Sequence, residues 1–339
     1  MYADIVFCKN SLWDMDICWV RYKDDLKEID GGNVYSRAAI DVLSRHFFLE
    51  FVDTCTGAGK MGFIRDIYKL CRLNQKKDVF IRDFWSTITM PLDSTSGKDV
   101  LLIYHIDSSV SKYSAYLRLM ERLFYRSLGN LDVVVTISEY WKKKFEELGC
   151  KDVRVIPFGM DPSKFSFTDE EILSFKSRFG LVNKPIIYIG NCQRAKGVVE
   201  VYDALKGMDV HLVTSGRRLV EIPAINLDIG YGDYLRLLKA SLVVVTMSKF
   251  TEGWGITPHE AMLCRTPVIG SGLGGMGELL DGGKQVICRD FRALRGEVEA
   301  ILNDPRLAVR MGDDGFKYAS QYTLERFQSS WIELMRGLQ

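Results

Sequence analysis

Between Ser248 and Leu280 the chain reads SKFTEGWGITPHEAMLCRTPVIGSGLGGMGELL. Glu252 and Glu260 are separated there by two glycines, a tryptophan and a Thr-Pro pair. The run just before it, LVVVTM, has the pattern of a buried strand, so the stretch lies where a strand gives way to a helix. Thr257 suits an N-cap and Pro258 the first helical position, which puts Glu260 third. Thr-x-x-Glu predicts a capping box, with the Glu260 carboxylate bonded back to the Thr257 amide. That local account does not cover Glu252, Gly253 or Gly255. The glycines free the backbone to approach a ligand, and the amides of Gly255, Ile256 and Thr257 face outward at a helix N-terminus, a site suited to phosphate. A carboxylate beside such a site is suited to binding hydroxyls rather than the anion.

Outward from this stretch, short β-rich runs alternate with helical patterns along the whole chain, the mark of parallel α/β layers. The first half predicts strands at ADIVFC, FFLEFVD, DVFIR, VLLIYH, DVVVTI and VRVIP, with helices near Tyr35–Arg45, Phe63–Leu73, Tyr113–Leu128 and Glu139–Leu148. The second half restarts with PIIYIG, VHLVTS, LVVVTM and TPVIG. The expected organisation is a Rossmann-like domain over residues 1–157, a linker over 158–183, a second Rossmann-like domain over 184–322 and a final helix over 323–339 that crosses back to the first domain. In open α/β sheets ligands bind beyond the carboxyl ends of the strands, so a cleft between two such domains is the place to look for a site.

Bulk properties narrow the classes. The 339 residues carry a net charge of +1, with 47% apolar and 26% charged residues, an ordinary globular composition spread evenly over both halves. No basic footprint for nucleic acid is present. No apolar run reaches the roughly 20 residues needed to span a bilayer. The first residues lack a basic segment and a small-residue cleavage site, so no signal peptide is read. The 8 cysteines are scattered without C-x-x-C pairs, which speaks against zinc and for reduced thiols in a cytoplasmic setting.

The stretch EGWGITPHEAM resembles the E-x7-E motif of the retaining glycosyltransferases of family GT4. TPVIGSGLGGMGELL is similar to that family's following strand and Gly-Gly-x-x-Glu turn, with Gly274, Gly275 and Glu278 in place. VVVTISEYWKKKFEELGCKDVRVIPFGMDPSKF resembles the end of its first domain, and DGGNVYSRAAIDVLSRH its Gly-Gly loop and first helix. The matches run in the family's order over nearly the whole chain. The resemblance implies the GT-B fold, two Rossmann-like domains facing a cleft. It also implies a nucleotide-diphosphate sugar donor, a glycan or lipid-linked acceptor, retention of configuration and no metal or other cofactor. Glu252 would hold donor sugar hydroxyls and Glu260 the ribose. Lys196, in YIGNCQRAKG, would clamp the diphosphate. The family's arginine directly after the strand glycine is replaced by Asn191, which leaves Arg194 as the candidate second cation. His105 would face the donor sugar, with Asp107 a weaker candidate, and Gly31 and Gly32 would present a helix N-terminus to the cleft.

Other signals compete. Asp14–Asp16 matches the D-x-D of metal-dependent transferases, but it follows the first expected strand instead of ending one deep in a nucleotide domain. A dinucleotide-dependent oxidoreductase would need G-x-G-x-x-G after the first strand, which the chain lacks. A non-catalytic nucleotide-sugar binder is favoured by Asn191 alone. His46, His211 and His259 read as structural. Arg65, Lys69, Arg72 and Lys76 are expected on one helix face, and Arg118, Arg122 and Arg126 on another. These are solvated rows or contacts to an anionic membrane. Opposite the second row, Tyr113, Tyr116, Leu117, Met120, Leu123 and Phe124 are expected in the core.

Overall fold

The computed structural model describes residues 14–21, 31–53, 60–106 and 115–339. Two parallel six-stranded sheets are present. The first is built from β1 (Asp16–Arg21), β2 (Phe48–Asp53), β3 (Lys76–Arg82), β4 (Ser96–Leu102), β5 (Val133–Thr136) and β6 (Val153–Val155), in the order β2-β1-β3-β4-β5-β6. The second is built from β7 (Ile186–Asn191), β8 (His211–Ser215), β9 (Ile225–Leu227), β10 (Val243–Thr246), β11 (Val268–Gly270) and β12 (Val286–Ile287), in the order β12-β11-β10-β7-β8-β9. Every residue of β5 and β10 is buried, as expected where helices cover both faces of a parallel sheet. In the second sheet the strand order reverses between β7 and β10, so the crevice opens where Lys196 and the quoted stretch follow those strands.

Several expectations need correction. ADIVFC lies outside the described residues. Among the described residues the first strand is β1, DICWVR, which was not anticipated because its Trp, Cys and flanking charges hid its pattern. Asp14 and Asp16 therefore precede this strand or start it, at the opposite end of the sheet from the carboxyl ends. The Asp16 amide donates to Asp78 there. β4 runs Ser96–Leu102, leaving His105 three residues past its end. The short strands β9 and β12 and the helix Phe84–Thr89, capped by Asp83 and Ser86, were not anticipated. Lys76 opens β3, so the basic row on the helix Lys60–Cys71 stops short of it.

Between β6 and β7, the helix Asp169–Arg178 starts in a Thr168–Glu171 capping box. It is tied to the second-domain helix Tyr231–Ala240 by Arg236–Glu171 at 3.1 Å and Arg178–Asp233 at 2.6 Å. The chain then crosses back. The Met160 amide donates to the Tyr322 carbonyl at 2.9 Å, and the last helix, Leu324–Arg336, packs on the helix Gly31–His46. Tyr35 anchors that contact. It meets Phe327 edge-on at 5.1 Å and Trp331 at 6.4 Å, and its hydroxyl donates to the Ile156 carbonyl.

Candidate active site

The loops after β7 and β10 are bonded to each other. After Gly190 and Asn191 comes a single tight helical turn, Arg194–Lys196, ended by Gly197 at φ 73°. A Cβ at Gly197 would collide with the Met247 carbonyl just beyond β10, so only glycine lets the loops approach this closely. The Lys249 amide donates to the Ala195 carbonyl at 2.9 Å. Lys196 is thereby set beside Glu252, with Nζ 2.7 Å from Oε1. The Ser248 hydroxyl donates to the same oxygen at 2.5 Å. Lys196 Nζ also sits 4.7 Å from the centre of the Phe250 ring, whose other neighbour is the His105 imidazole at 5.8 Å. One aromatic ring thus bridges the second-domain lysine and the first-domain histidine.

The backbone of Glu252 is fixed from both domains. Its carbonyl accepts from Trp141 Nε1 and from the Gly275 amide, each at 3.0 Å, and its amide donates to Leu273. An ideal Cβ on Gly253 would lie 2.8 Å from the Tyr104 carbonyl, so the turn presses directly on the loop that carries His105. Gly255, at φ 93°, caps the helix Ile256–Leu263. Across the cleft, Gly31 opens the helix Gly31–His46. A Cβ there would be 3.0 Å from Ile256 Cδ1, so the two helix N-termini meet. Gly32 follows in the same first turn, and Thr257 lies one residue beyond Ile256.

The capping box at Glu260 is overturned. The helix starts at Ile256, not Pro258, so Glu260 is its fifth residue and lies beyond reach of the Thr257 amide. Its buried carboxylate instead accepts from the Tyr231 hydroxyl at 2.8 Å and the Tyr234 hydroxyl at 3.0 Å. Burial raises the Glu260 carboxyl to about 7, against the lowering effect of the two tyrosines. His259 next to it is structural. Its Nδ1 accepts from Trp254 Nε1 at 3.1 Å, its Nε2 lies 3.2 Å from the Ala319 carbonyl, and burial lowers it to about 4.

The candidates do not all converge. Lys196, Glu252 and His105 share one place, with Gly253 and Gly255 beside them. Arg194 is exposed, and the charge it influences is that of Glu200. Asn191 is turned into the sheet, where its Oδ1 accepts from Tyr188 at 2.9 Å and lies 3.3 Å from Ser215 Oγ. Asp107 falls outside the described residues. Ser248, Phe250, Tyr231, Tyr234 and Trp141 were missed. Ser248 and Phe250 stand inside the opening stretch, but nothing in local spacing marks a ring as the bridge between domains. The 6 cysteines among the described residues are free thiols.

Comparison with solved structures identifies the architecture as GT-B. HepE of Anabaena, solved with UDP-glucose, superposes with a TM-score of 0.76 at 15% identity, covering 95% of this chain and 100% of that one. Sucrose-phosphate synthase of Thermosynechococcus elongatus gives 0.76 at 17% identity, over 96% and 99%. Residues 169–318, just under half of the chain, match the family described as glycosyl transferases group 1. Among curated relatives, a Bacillus subtilis glycosyltransferase named for teichuronic acid biosynthesis is 26% identical over 51% of this chain and 46% of its own length. Glycosyltransferase MJ1178 of Methanocaldococcus jannaschii is 22% identical over 67% and 65%. The chain thus spans about half to two thirds of the length of these relatives.

Proposed function

We propose that the protein is a glycosyltransferase that moves a sugar from a nucleotide-diphosphate donor to an acceptor hydroxyl, with retention and without a metal, in glycan or glycolipid assembly. The observation that carries this reading is the Lys196–Glu252 pair at the β7/β10 switch point, set against the Gly255 helix terminus on one side and His105 on the other. As the glycosidic bond breaks, negative charge grows on the leaving diphosphate. Lys196, released from Glu252, and the amides of Gly255, Ile256 and Thr257 would stabilise it, with Arg194 on the exposed turn as the candidate second cation. Glu252, fixed along its backbone, would receive sugar hydroxyls. Glu260 would exchange its tyrosine hydroxyls for those of a ribose. Closure of the two domains over the donor would exclude water from the bond being broken.

UDP-glucose, the ligand solved with HepE, is the first donor to test. Lys196→Ala and Glu252→Ala are each expected to lower nucleotide release by a factor on the order of 10²–10³ while leaving the melting temperature nearly unchanged. Full activity in either variant would remove the assignment. Activity abolished by EDTA and restored by manganese would end the metal-free scheme.

A second reading, binding without turnover, is favoured by one observation: Asn191 supplies no cation and is engaged within the sheet. Stabilisation by nucleotide together with an unconsumed donor would select it.

We also propose that the first domain contacts an anionic membrane face. Met61, Ile64 and Tyr68 are exposed on the helix Lys60–Cys71 that also carries Arg65 and Lys69. No described helix is long and apolar enough to cross a membrane. Equal sedimentation with neutral and acidic liposomes would contradict the membrane placement.

A further inference from the structure

A cavity of about 420 Å³ opens in the first domain beside His105, within the roughly 300–1,000 Å³ of small-molecule sites. It lies past the carboxyl ends of β3 and β4, walled by Phe84, Trp85, Ile106, Leu117 and Met120. The wall is braced from behind. Phe84 stacks on buried Phe124 at 4.5 Å, and Trp85 meets Phe84 at 5.3 Å and Phe63 at 5.2 Å, both edge-on. Phe84 and Trp85 are therefore held by their own packing.

Leu117, Met120 and Phe124 share one stripe of the helix Ala115–Ser127, yet only Phe124 is fully buried; Leu117 and Met120 face the cavity half-exposed. Such unspent apolar surface gains by covering. The two carboxylates in the lining are already engaged. Asp83 accepts from the Ser86 amide at 2.8 Å, and Glu121 from the Tyr125 hydroxyl at 2.9 Å. A sugar seated here would lose its hydration and find few partners. An apolar group would forfeit no hydrogen bonds to water and would gain by burial. His105 forms the end of the cavity nearest Phe250 and Lys196, so the cavity begins where the donor sugar would end.

We propose that this cavity holds the apolar body of the acceptor, an alkyl or aryl group attached next to the hydroxyl that receives the sugar. The proposal rests on the transferase reading and narrows its acceptor to an amphiphile, with the first domain recognising the apolar part.

The test uses the full chain without donor. Ligand-observed NMR titrations would compare octyl β-D-glucopyranoside below its micellar concentration, 4-nitrophenyl β-D-glucopyranoside and free D-glucose. One or both glucosides should bind at least about tenfold more tightly than glucose through burial of the aglycone. The stronger of the two tells an alkyl from an aryl occupant. Met120→Trp fills the cavity and should abolish the preference. Leu117→Trp, at a half-exposed position, carries the same test should Met120→Trp not fold. Equal affinity for glucose and both glucosides, or a preference that survives in a folded filled variant, overturns the proposal. Thermal shifts with UDP and GDP on the same preparations separate the two readings. A nucleotide shift without glucoside preference overturns the cavity assignment alone. Glucoside preference without any nucleotide shift overturns the acceptor assignment together with the transferase reading.

Discussion

His259 and Glu260 are neighbours in the chain, and burial pushes their protonation in opposite directions, each toward its neutral form. Glu260 rises from 4.5 to about 7 and His259 falls from 6.5 to about 4. Between those two glutamate values the folded chain holds a proton that the unfolded chain has lost. Stability from this group therefore falls as pH rises through the window and levels off above it. His259 acts in reverse. The unfolded chain binds its proton first as pH drops, so its contribution rises with pH between the two histidine values. Glu260→Gln removes only the falling limb. Denaturant midpoints measured from acid to mildly alkaline pH should show the variant gaining on the parent chain, by on the order of a few kcal/mol over the full range. Parallel profiles would mean that Glu260 titrates as an exposed carboxyl.

At the scale of the element, the helix Ile256–Leu263 depends on how its chain enters. Gly255 takes φ 93°, and an added Cβ would stand 3.0 Å from Pro258 Cγ and 3.5 Å from Met276 Cβ. Gly255→Ala is expected to cost about 1–3 kcal/mol in backbone strain. It should also displace the amides aimed at the cleft, so nucleotide-induced stabilisation should weaken beyond what the loss in melting temperature explains. Unchanged nucleotide binding would show that those amides do not carry the phosphate. The same element explains the failed capping box. Thr-x-x-Glu is a local signal, whereas the entry was decided by a left-handed glycine two residues earlier and by the tyrosines of a helix about 30 positions away in sequence.

At the scale of the molecule, the two domains are joined by the linking segment and by the returning C-terminal helix. Phe327 is buried between Tyr35 and Phe158, at 5.1 and 5.9 Å, so the last helix completes the core of the first domain. Phe327→Ala should cost about 3–5 kcal/mol, as large-to-small changes in a core do. The loss is expected in the unfolding transition of the whole chain, read as a lower denaturant midpoint. A midpoint within error of the parent would show that the helix rests on the domain without supporting it. Across the cleft the domains also meet through Trp141, whose indole donates to the Glu252 carbonyl, and through Glu278, which accepts from the Tyr140 amide at 3.2 Å. The acidic residue of the Gly-Gly-x-x-Glu turn thus works at the domain contact, a role invisible in the motif itself.

The alternation of apolar strands and amphipathic helices, the restart after the linking segment and the strand-end positions of Lys196 and Glu252 were all legible in the sequence by itself, because hydrophobic periodicity and turn chemistry act over a few residues. Strands β1, β9 and β12 were not, since two or three residues, or a strand flanked by charges, carry too little pattern. Only the tertiary structure decided that Glu260 is held by Tyr231 and Tyr234, that Asn191 turns into the sheet, and that Phe250 spans from Lys196 to His105. Only it showed Leu117 and Met120 walling a cavity where their spacing predicted core. Each of these outcomes depends on side chains far apart in sequence meeting at one place, and contact of that kind leaves no trace in local spacing.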